Sequence, residues 1–330
     1  MSDRWRVVVV GLGSIGKRHA RLLAERPDVS LEAVELDAEA VERARPEISD
    51  LRVLHPSFEA ALSSGPDVVL IATPAPFHAG QTIAALEAGC HVLCEKPMSD
   101  NVKDAERMKA AAEKSDRLLS IGFSLHFSPS VVRFRDIVRS GRLGELVHIN
   151  MHIGSYLTLV LSRSRHQARM EGSLMLDYAH QPDLLYWMLG HNPRGVYAAA
   201  CLAPTVELKS NPNVVSMTYD YDEPLVSYIH LNFIQAPAQA RYEAIGDQGW
   251  VHLDAETGLQ RVGSGGWEGS VAEEIIGGAR DEVYQAEHQR FFDAIDGKGE
   301  VESPPGDAIQ SMYVIDAAIE SWKTGKRVEL

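Results

Sequence analysis

Cysteine is nearly absent: Cys90, Cys94 and Cys201 are the only three in 330 residues. They are too few and too ill-spaced for a disulfide framework or a zinc site, so no metal centre is expected. No apolar run reaches the roughly 18 residues that a membrane-spanning helix needs. Basic charge is in short supply, with 32 Lys and Arg against 46 Asp and Glu and a formal charge of −14, which argues against a nucleic-acid partner. Internal repeats and low-complexity tracts are missing as well. Met1-Ser-Asp-Arg-Trp5 leads straight into an apolar strand and leaves no room for a signal peptide, so a cytoplasmic location is expected. What remains is the composition of a soluble globular protein, 45% hydrophobic and 24% charged, with length for two domains.

The stretch that organises the chain is Arg6-Val-Val-Val-Val-Gly11-Leu-Gly13-Ser14-Ile15-Gly16. Four consecutive valines read as a strand buried on both faces. Glycines follow at once in the spacing G-x-G-x-x-G, and Ile15, Ala20, Leu22 and Leu23 then recur at helical spacing. A glycine motif that leaves a buried strand and opens a helix is the dinucleotide signature. Gly11 makes the tight turn, Gly13 lets a pyrophosphate approach the backbone, and Gly16 lets the helix pack on the strand. The free N–H groups at the helix start, at Ser14 and Ile15, face the phosphates. An acid is expected about 20 residues further on, at the end of the second strand, to bind the adenosine ribose. Glu35 fills that position and favours NAD over NADP, while Arg43 and Arg45 keep NADP open.

Strand and helix patterns alternate from there. Strands are expected at Leu51–Leu54, Asp67–Ala72, His91–Cys94 and Leu118–Gly122, with helices between them, giving a doubly wound parallel sheet over residues 1–122. Ligands of such sheets sit beyond the carboxyl ends of the strands, where Thr73-Pro74 and Glu95-Lys96-Pro97 fall. A lysine on that edge can hydrogen-bond a substrate hydroxyl and ease its deprotonation.

These residues carry a resemblance. Gly11-Leu-Gly-Ser-Ile-Gly16 with His19-Ala20, Ala72-Thr-Pro74 with His78, and Ala88-Gly-Cys-His-Val-Leu-Cys-Glu-Lys-Pro97 together resemble the Gfo/Idh/MocA family of NAD(P)-dependent sugar and cyclitol oxidoreductases. The resemblance continues to the end of the chain. It implies a Rossmann domain followed by an α+β domain with a large, open, mostly antiparallel sheet, over 123–330, that binds substrate and makes the contacts of a homodimer or homotetramer. It implies that Lys96 is catalytic and that Thr73, Pro74, His78 and Glu95 adjoin the cofactor. His19 reads as a packing residue of the first helix.

The second part fits the same expectation. Consecutive strands are read at Glu145–Gly154, Gly195–Ala203, Val214–Tyr221, Leu225–Ile234, Ala240–Ile245 and Trp250–Leu253, and helices near Glu282–Ile295 and Gly306–Thr324 close the chain. Asp177, His180 and Asp183 are three apart, so they are expected on one side of a helix. A histidine flanked by carboxylates can serve as a general base near neutral pH. The resemblance implies that His180 is the base, with Asp177 its helper, while Asp183 can instead tie the helix in place. Arg163, Arg165, His166 and Arg169 cluster in a loop that overhangs the substrate in the resembling family. Such arginines suit a carboxylate or phosphate, which points to an anionic substrate. His126 and Tyr156 are further substrate-side candidates. The expected activity is hydride transfer between NAD and a secondary hydroxyl, or the matching keto group, of a sugar, sugar acid or cyclitol. Two other readings stay open at this point: glycoside cleavage or elimination through transient oxidation by a retained NAD, and a non-catalytic dinucleotide sensor.

Overall fold

The structure is a computed structural model that describes residues 5–156, 171–204, 212–265 and 269–330. It divides into two compact units: one holds the chain up to Ser124 together with Arg280–Met312, the other Leu125–Ala279 together with Tyr313–Leu330.

The first unit alternates β1 (Trp5–Val10), α1 (Ser14–Ala24), β2 (Val29–Val34), α2 (Ala38–Ala44), β3 (Leu51–His55), α3 (Phe58–Ser63), β4 (Val68–Ile71), α4 (His78–Glu87), β5 (His91–Glu95), α5 (Val102–Lys114) and β6 (Leu119–Gly122). The six strands form one parallel sheet in the order β3-β2-β1-β4-β5-β6. This is the doubly wound order that reverses direction next to β1, and the crevice at that reversal is where such sheets bind ligands. The valines of β1 are buried on both faces, as their unbroken run requires. Asp37, Ser57 and Asn101 cap α2, α3 and α5 by accepting the backbone N–H groups of Glu39, Ala60 and Asp104. α1 is different: it starts after Gly13 and has no side-chain cap.

The second unit contains α6 (Pro129–Arg139), β7 (Leu146–Gly154), α7 (Ser173–Asp177), α8 (His180–Leu189), β8 (Gly195–Cys201), β9 (Val214–Asp220), β10 (Val226–Asn232), β11 (Gln239–Gly246), β12 (Gly249–Asp254), β13 (Leu259–Ser264) and β14 (Ser270–Ile275). Then come α9 (Arg280–Ile295), α10 (Pro305–Thr324) and β15 (Val328–Glu329). The large sheet runs β14-β13-β12-β11-β7-β10-β9-β8-β15 and is antiparallel throughout except where β7 and β10 pair in parallel.

One helix departs from the sequence-based division. α9 follows the strands of the second unit in the chain, and the boundary read at 122 carries it with them. It belongs instead to the first unit, because Phe291 and Phe292 complete the core around Val7, Val9, Leu23, Val29 and Leu31. Arg26 covers the Phe292 ring at 4.6 Å, and Ile121 at the end of the parallel sheet donates its N–H to the Ser303 carbonyl. β13, β14 and β15 were also not read from the sequence. β14 is an edge strand exposed along nearly its whole length, so it carries little of the alternation that reveals a half-buried strand. Among the described residues no helix is long and apolar enough to cross a membrane.

Candidate active site

The nucleotide end of the site is set by the turn between β1 and α1. Gly11 sits at φ +89°, and its N–H donates to the Val34 carbonyl at 2.8 Å, which ties the turn to the end of β2. A Cβ on Gly16 would drive into the Gly11 carbonyl oxygen and lie 3.1 Å from the Ala72 methyl, so glycine alone lets α1 approach this closely. Nothing lies within 4 Å of where a Cβ on Gly13 would stand. Open space over Gly13, together with an α1 N-terminus whose N–H groups meet no capping side chain, is a cradle that fits a pyrophosphate.

Glu35 lies beside that cradle. Its Oε2 accepts the Leu12 N–H at 2.6 Å and its Oε1 accepts the Asp37 N–H at 2.8 Å. The carboxylate is thereby held at the end of β2 with further lone pairs on both oxygens, suited to ribose hydroxyls. Leu36, next to it, is 80% exposed. Arg43 bonds Glu39 at 3.3 Å and lies 3.6 Å from Asp37, while Arg45 lies 3.9 Å from Glu42. Both arginines are engaged by acids of their own neighbourhood.

The chemical end follows β4 and β5. Thr73 donates its hydroxyl to Gln81 at 2.6 Å, and Pro74 leads into α4. His78, the first residue of α4, is buried, with Nδ1 2.9 Å from the Pro97 carbonyl and Nε2 2.7 Å from the Thr73 carbonyl. It lies between the Thr73-Pro74 turn and the Lys96-Pro97 turn, whose peptide is cis, and in its neutral form donates its one N–H to one of the two carbonyls. Burial holds the His78 ring below the usual imidazole range, against the pull of its two carbonyl acceptors. Glu95 ends β5 and is itself buried. Its Oε2 accepts the Lys96 N–H at 3.1 Å and its Oε1 faces His19 Nε2 at 2.9 Å. Burial pushes the Glu95 carboxyl up, but the His19 hydrogen bond and the Lys96 charge outweigh it and leave the group below its ordinary range. His19 is thus more than the packing residue expected: it holds Glu95. Cys94, next to it, is buried and its thiol is pushed up, which makes it inert as a nucleophile.

Glu287 on α9 is 3% exposed, and neither carboxylate oxygen has a hydrogen-bond partner among the described residues. Burial, with the Glu95 charge added, pushes its carboxyl well above the ordinary 4.5. The acid is neutral in the fold and ionised in the unfolded chain, so the unfolded state gains as pH rises above 4.5. Glu287→Gln is expected to melt about 3 °C or more above the wild type at pH 8. The gap closes as pH falls toward 4.5; equal melting temperatures at pH 8 would contradict the assignment.

In the second unit, Asp177 and His180 do not share one helix. Asp177 is the last residue of α7, Tyr178 leaves helical geometry at ψ +34°, and His180 is the first residue of α8. The reading of Asp177, His180 and Asp183 along one helix face is corrected by Pro182: a continuous helix would need an N–H there to reach the Tyr178 carbonyl, and proline has none. In the first turn of α8 the proline is tolerated. Asp183 is buried and bonds His126 Nε2 at 2.7 Å. The His126 ring stacks on Trp187 at 4.1 Å, and Arg135 covers Trp187 at 4.1 Å. Asp183 accordingly ties α8 down, and His126 is enclosed in this cluster. Tyr156 follows β7 and donates its N–H to the Gln235 carbonyl at 2.8 Å. Arg163, Arg165 and Arg169 lie outside the described residues.

Comparison with known proteins agrees with this fold. Residues 5–123 match the oxidoreductase family with an NAD-binding Rossmann fold, and residues 131–252 match the GFO/IDH/MocA C-terminal domain. Among curated proteins, inositol 2-dehydrogenase 4 of Saccharopolyspora erythraea is 27% identical over 335 residues, covering 99% of this chain and 96% of its own. Among solved structures, myo-inositol 2-dehydrogenase from Lactobacillus plantarum superposes with a TM-score of 0.85 at 22% identity, covering 99% of this chain and 100% of its own. Levoglucosan dehydrogenase in complex with NADH and levoglucosan superposes with a TM-score of 0.85 at 19% identity over 99% of both chains.

Proposed function

Because the chain belongs to the Gfo/Idh/MocA oxidoreductase family, we propose that it is an NAD-dependent dehydrogenase that oxidises a secondary ring hydroxyl of a cyclitol or sugar, or reduces the matching ketone. The observation that carries this reading is the conjunction in one unit of the phosphate cradle at Gly11–Gly16 with Glu95-Lys96 at the carboxyl end of β5. The cyclitol class is supported by the inositol dehydrogenases among the relatives. NAD is supported over NADP by the Glu35 carboxylate, which would repel a 2′-phosphate.

The N–H groups of Ser14 and Ile15 would hold the pyrophosphate, Glu35 the adenosine ribose and Leu36 the adenine face. Thr73, Pro74 and His78 would line the path to the nicotinamide. When bound, the nicotinamide supplies a hydride acceptor. The protein's own work is proton and charge management. His180 takes the hydroxyl proton, Asp177 helps to orient it, and Lys96 stabilises the negative charge that grows on the substrate oxygen. In this reading Arg163, Arg165 and Arg169 would favour an anionic member of the polyol class.

The test is a panel of inositols, sugars and sugar acids offered with NAD or NADP, followed by absorbance of the reduced nicotinamide. Reduction of NAD by one compound class, with little response from NADP, is the expected result. Consumption of a glycoside with no nicotinamide reduced would overturn it.

A further inference from the structure

The first unit contains a buried polar line that the reaction scheme leaves unused. Glu95 Oε1 lies 2.9 Å from His19 Nε2, and His19 Nδ1 lies 2.7 Å from His288 Nε2. β5, α1 and α9 each supply one member. Both imidazoles are only 1% exposed and Glu95 is 9% exposed. The two rings are tilted 40° to each other with centroids 5.0 Å apart, and Tyr284 closes edge-on against His19 at 5.1 Å. Short contacts between buried nitrogens and a buried carboxylate are not packing by default, because each unmatched lone pair or proton there is costly.

The proton inventory is restrictive. A neutral imidazole has one N–H and one lone pair, and an ionised carboxylate only accepts. With two neutral rings, one arrangement satisfies both contacts. His19 donates from Nε2 to Glu95, its Nδ1 accepts, and His288 donates from Nε2. The alternative tautomers place two lone pairs or two protons face to face.

We propose that His288 and His19 form a two-ring relay that orients the Glu95 carboxylate beside Lys96, which makes His288 a positioning residue for hydride transfer. Its bearing on catalysis rests on the role assigned to Lys96 above; the relay itself does not.

The groups that face Glu95 are His19 from α1, His78 from α4, Tyr284 and Glu287 from α9, Cys94 on its own strand and Lys96 just beyond it. Burial of Glu287 keeps it neutral, and burial of His288 holds that ring well below the imidazole range, so His288 stays a neutral donor. Without the His288 donor, the His19 Nδ1 lone pair is left buried and unmatched, and the tautomer that donates from Nε2 to Glu95 loses its support. Burial then dominates at Glu95. A depressed acid contributes above its ordinary value and loses its contribution as pH falls through its folded value, so the loss moves to higher pH in such a variant.

The experiment compares the full-length wild type with His288→Leu and His288→Gln. Leucine removes the donor, whereas glutamine can present an N–H at the same reach. Protein labelled with carboxyl-¹³C glutamate is titrated by NMR, with the Glu95 resonance assigned through Glu95→Gln. In His288→Leu the Glu95 midpoint is expected to rise by about one pH unit or more. In His288→Gln it stays close to the wild type. With the substrate that the wild type turns over, kcat of His288→Leu falls about threefold at about pH 5, where a Glu95 midpoint raised by about one unit leaves the carboxyl mostly protonated, and recovers toward about pH 7 at unchanged KM. An unmoved Glu95 midpoint in His288→Leu, or equal shifts in both variants, would overturn the relay. If the leucine variant does not fold, histidine ¹⁵N shifts of the wild type decide: both rings carry their proton on Nε2, and a proton on His288 Nδ1 refutes it. Neither NMR measurement needs turnover, so a protein that reduces no NAD with any polyol would refute the proposed function without deciding the relay.

Discussion

Lys96→Ala is expected to lower the rate of NAD reduction about a thousandfold while NAD still binds, within the range that a positioned proton-transfer or charge-stabilising group contributes. Lys96 follows Glu95 at the carboxyl end of β5, and its backbone N–H is bonded to the Glu95 carboxylate. The buried His78 ring packs against the Pro97 carbonyl next to it, with Nδ1 2.9 Å away. An ammonium so placed is worth most when charge grows on the substrate oxygen, and little when the neutral alcohol first binds. The loss should therefore fall equally on kcat and kcat/KM. Lys96→Arg recovers little, because a planar fork cannot replace a compact point charge. Steady-state kinetics with the best polyol from the panel, alongside NAD affinity by fluorescence, checks this. A kcat within tenfold of the wild type would remove Lys96 from the mechanism.

Gly16→Ala has a comparably large effect for a different reason. Its methyl group would enter the space of the Gly11 carbonyl oxygen and press on Ala72, both of them parts of the buried turn and strand end. Either α1 or the turn must move, a strain of about 1–3 kcal/mol. The phosphate cradle moves with it, so both the melting temperature and NAD affinity fall, the affinity by about a hundredfold, equivalent to roughly two lost hydrogen bonds. Gly13→Ala is the control. Its methyl group meets no protein atom within 4 Å, so stability is kept while NAD affinity drops. Calorimetry and NAD titration of the two variants separate a glycine needed by the fold from one needed by the ligand. Equal melting losses in both would contradict the geometry.

Much of this was legible in local sequence. A run of valines leading into G-x-G-x-x-G can hardly be anything but a buried strand feeding a phosphate-binding turn, and β1 and α1 fall there. The strand ends at Thr73 and Glu95-Lys96 were equally plain, because apolar runs stop abruptly at polar residues and prolines. What could not be read is what depends on distant parts of the chain. His19 and His288 are separated by 269 positions, and neither has neighbours that betray the pairing. The membership of α9 in the first unit depends on where Phe291 and Phe292 find a core, and amphipathic spacing alone does not say which core. The break between α7 and α8 was readable in principle. Pro182 marks it, but the three-residue spacing of Asp177, His180 and Asp183 was given more weight than the missing N–H.

The account centres on direct transfer of hydride from a substrate carbon, and one isotope measurement tests that most closely. The purified protein is given NAD and the best polyol from the panel, deuterated at every ring carbon, and the nicotinamide is examined by mass spectrometry. The account predicts reduced nicotinamide carrying one deuterium, formed more slowly than from the unlabelled polyol if transfer limits the rate, and about a thousandfold more slowly with Lys96→Ala. Reduced nicotinamide without deuterium would contradict it.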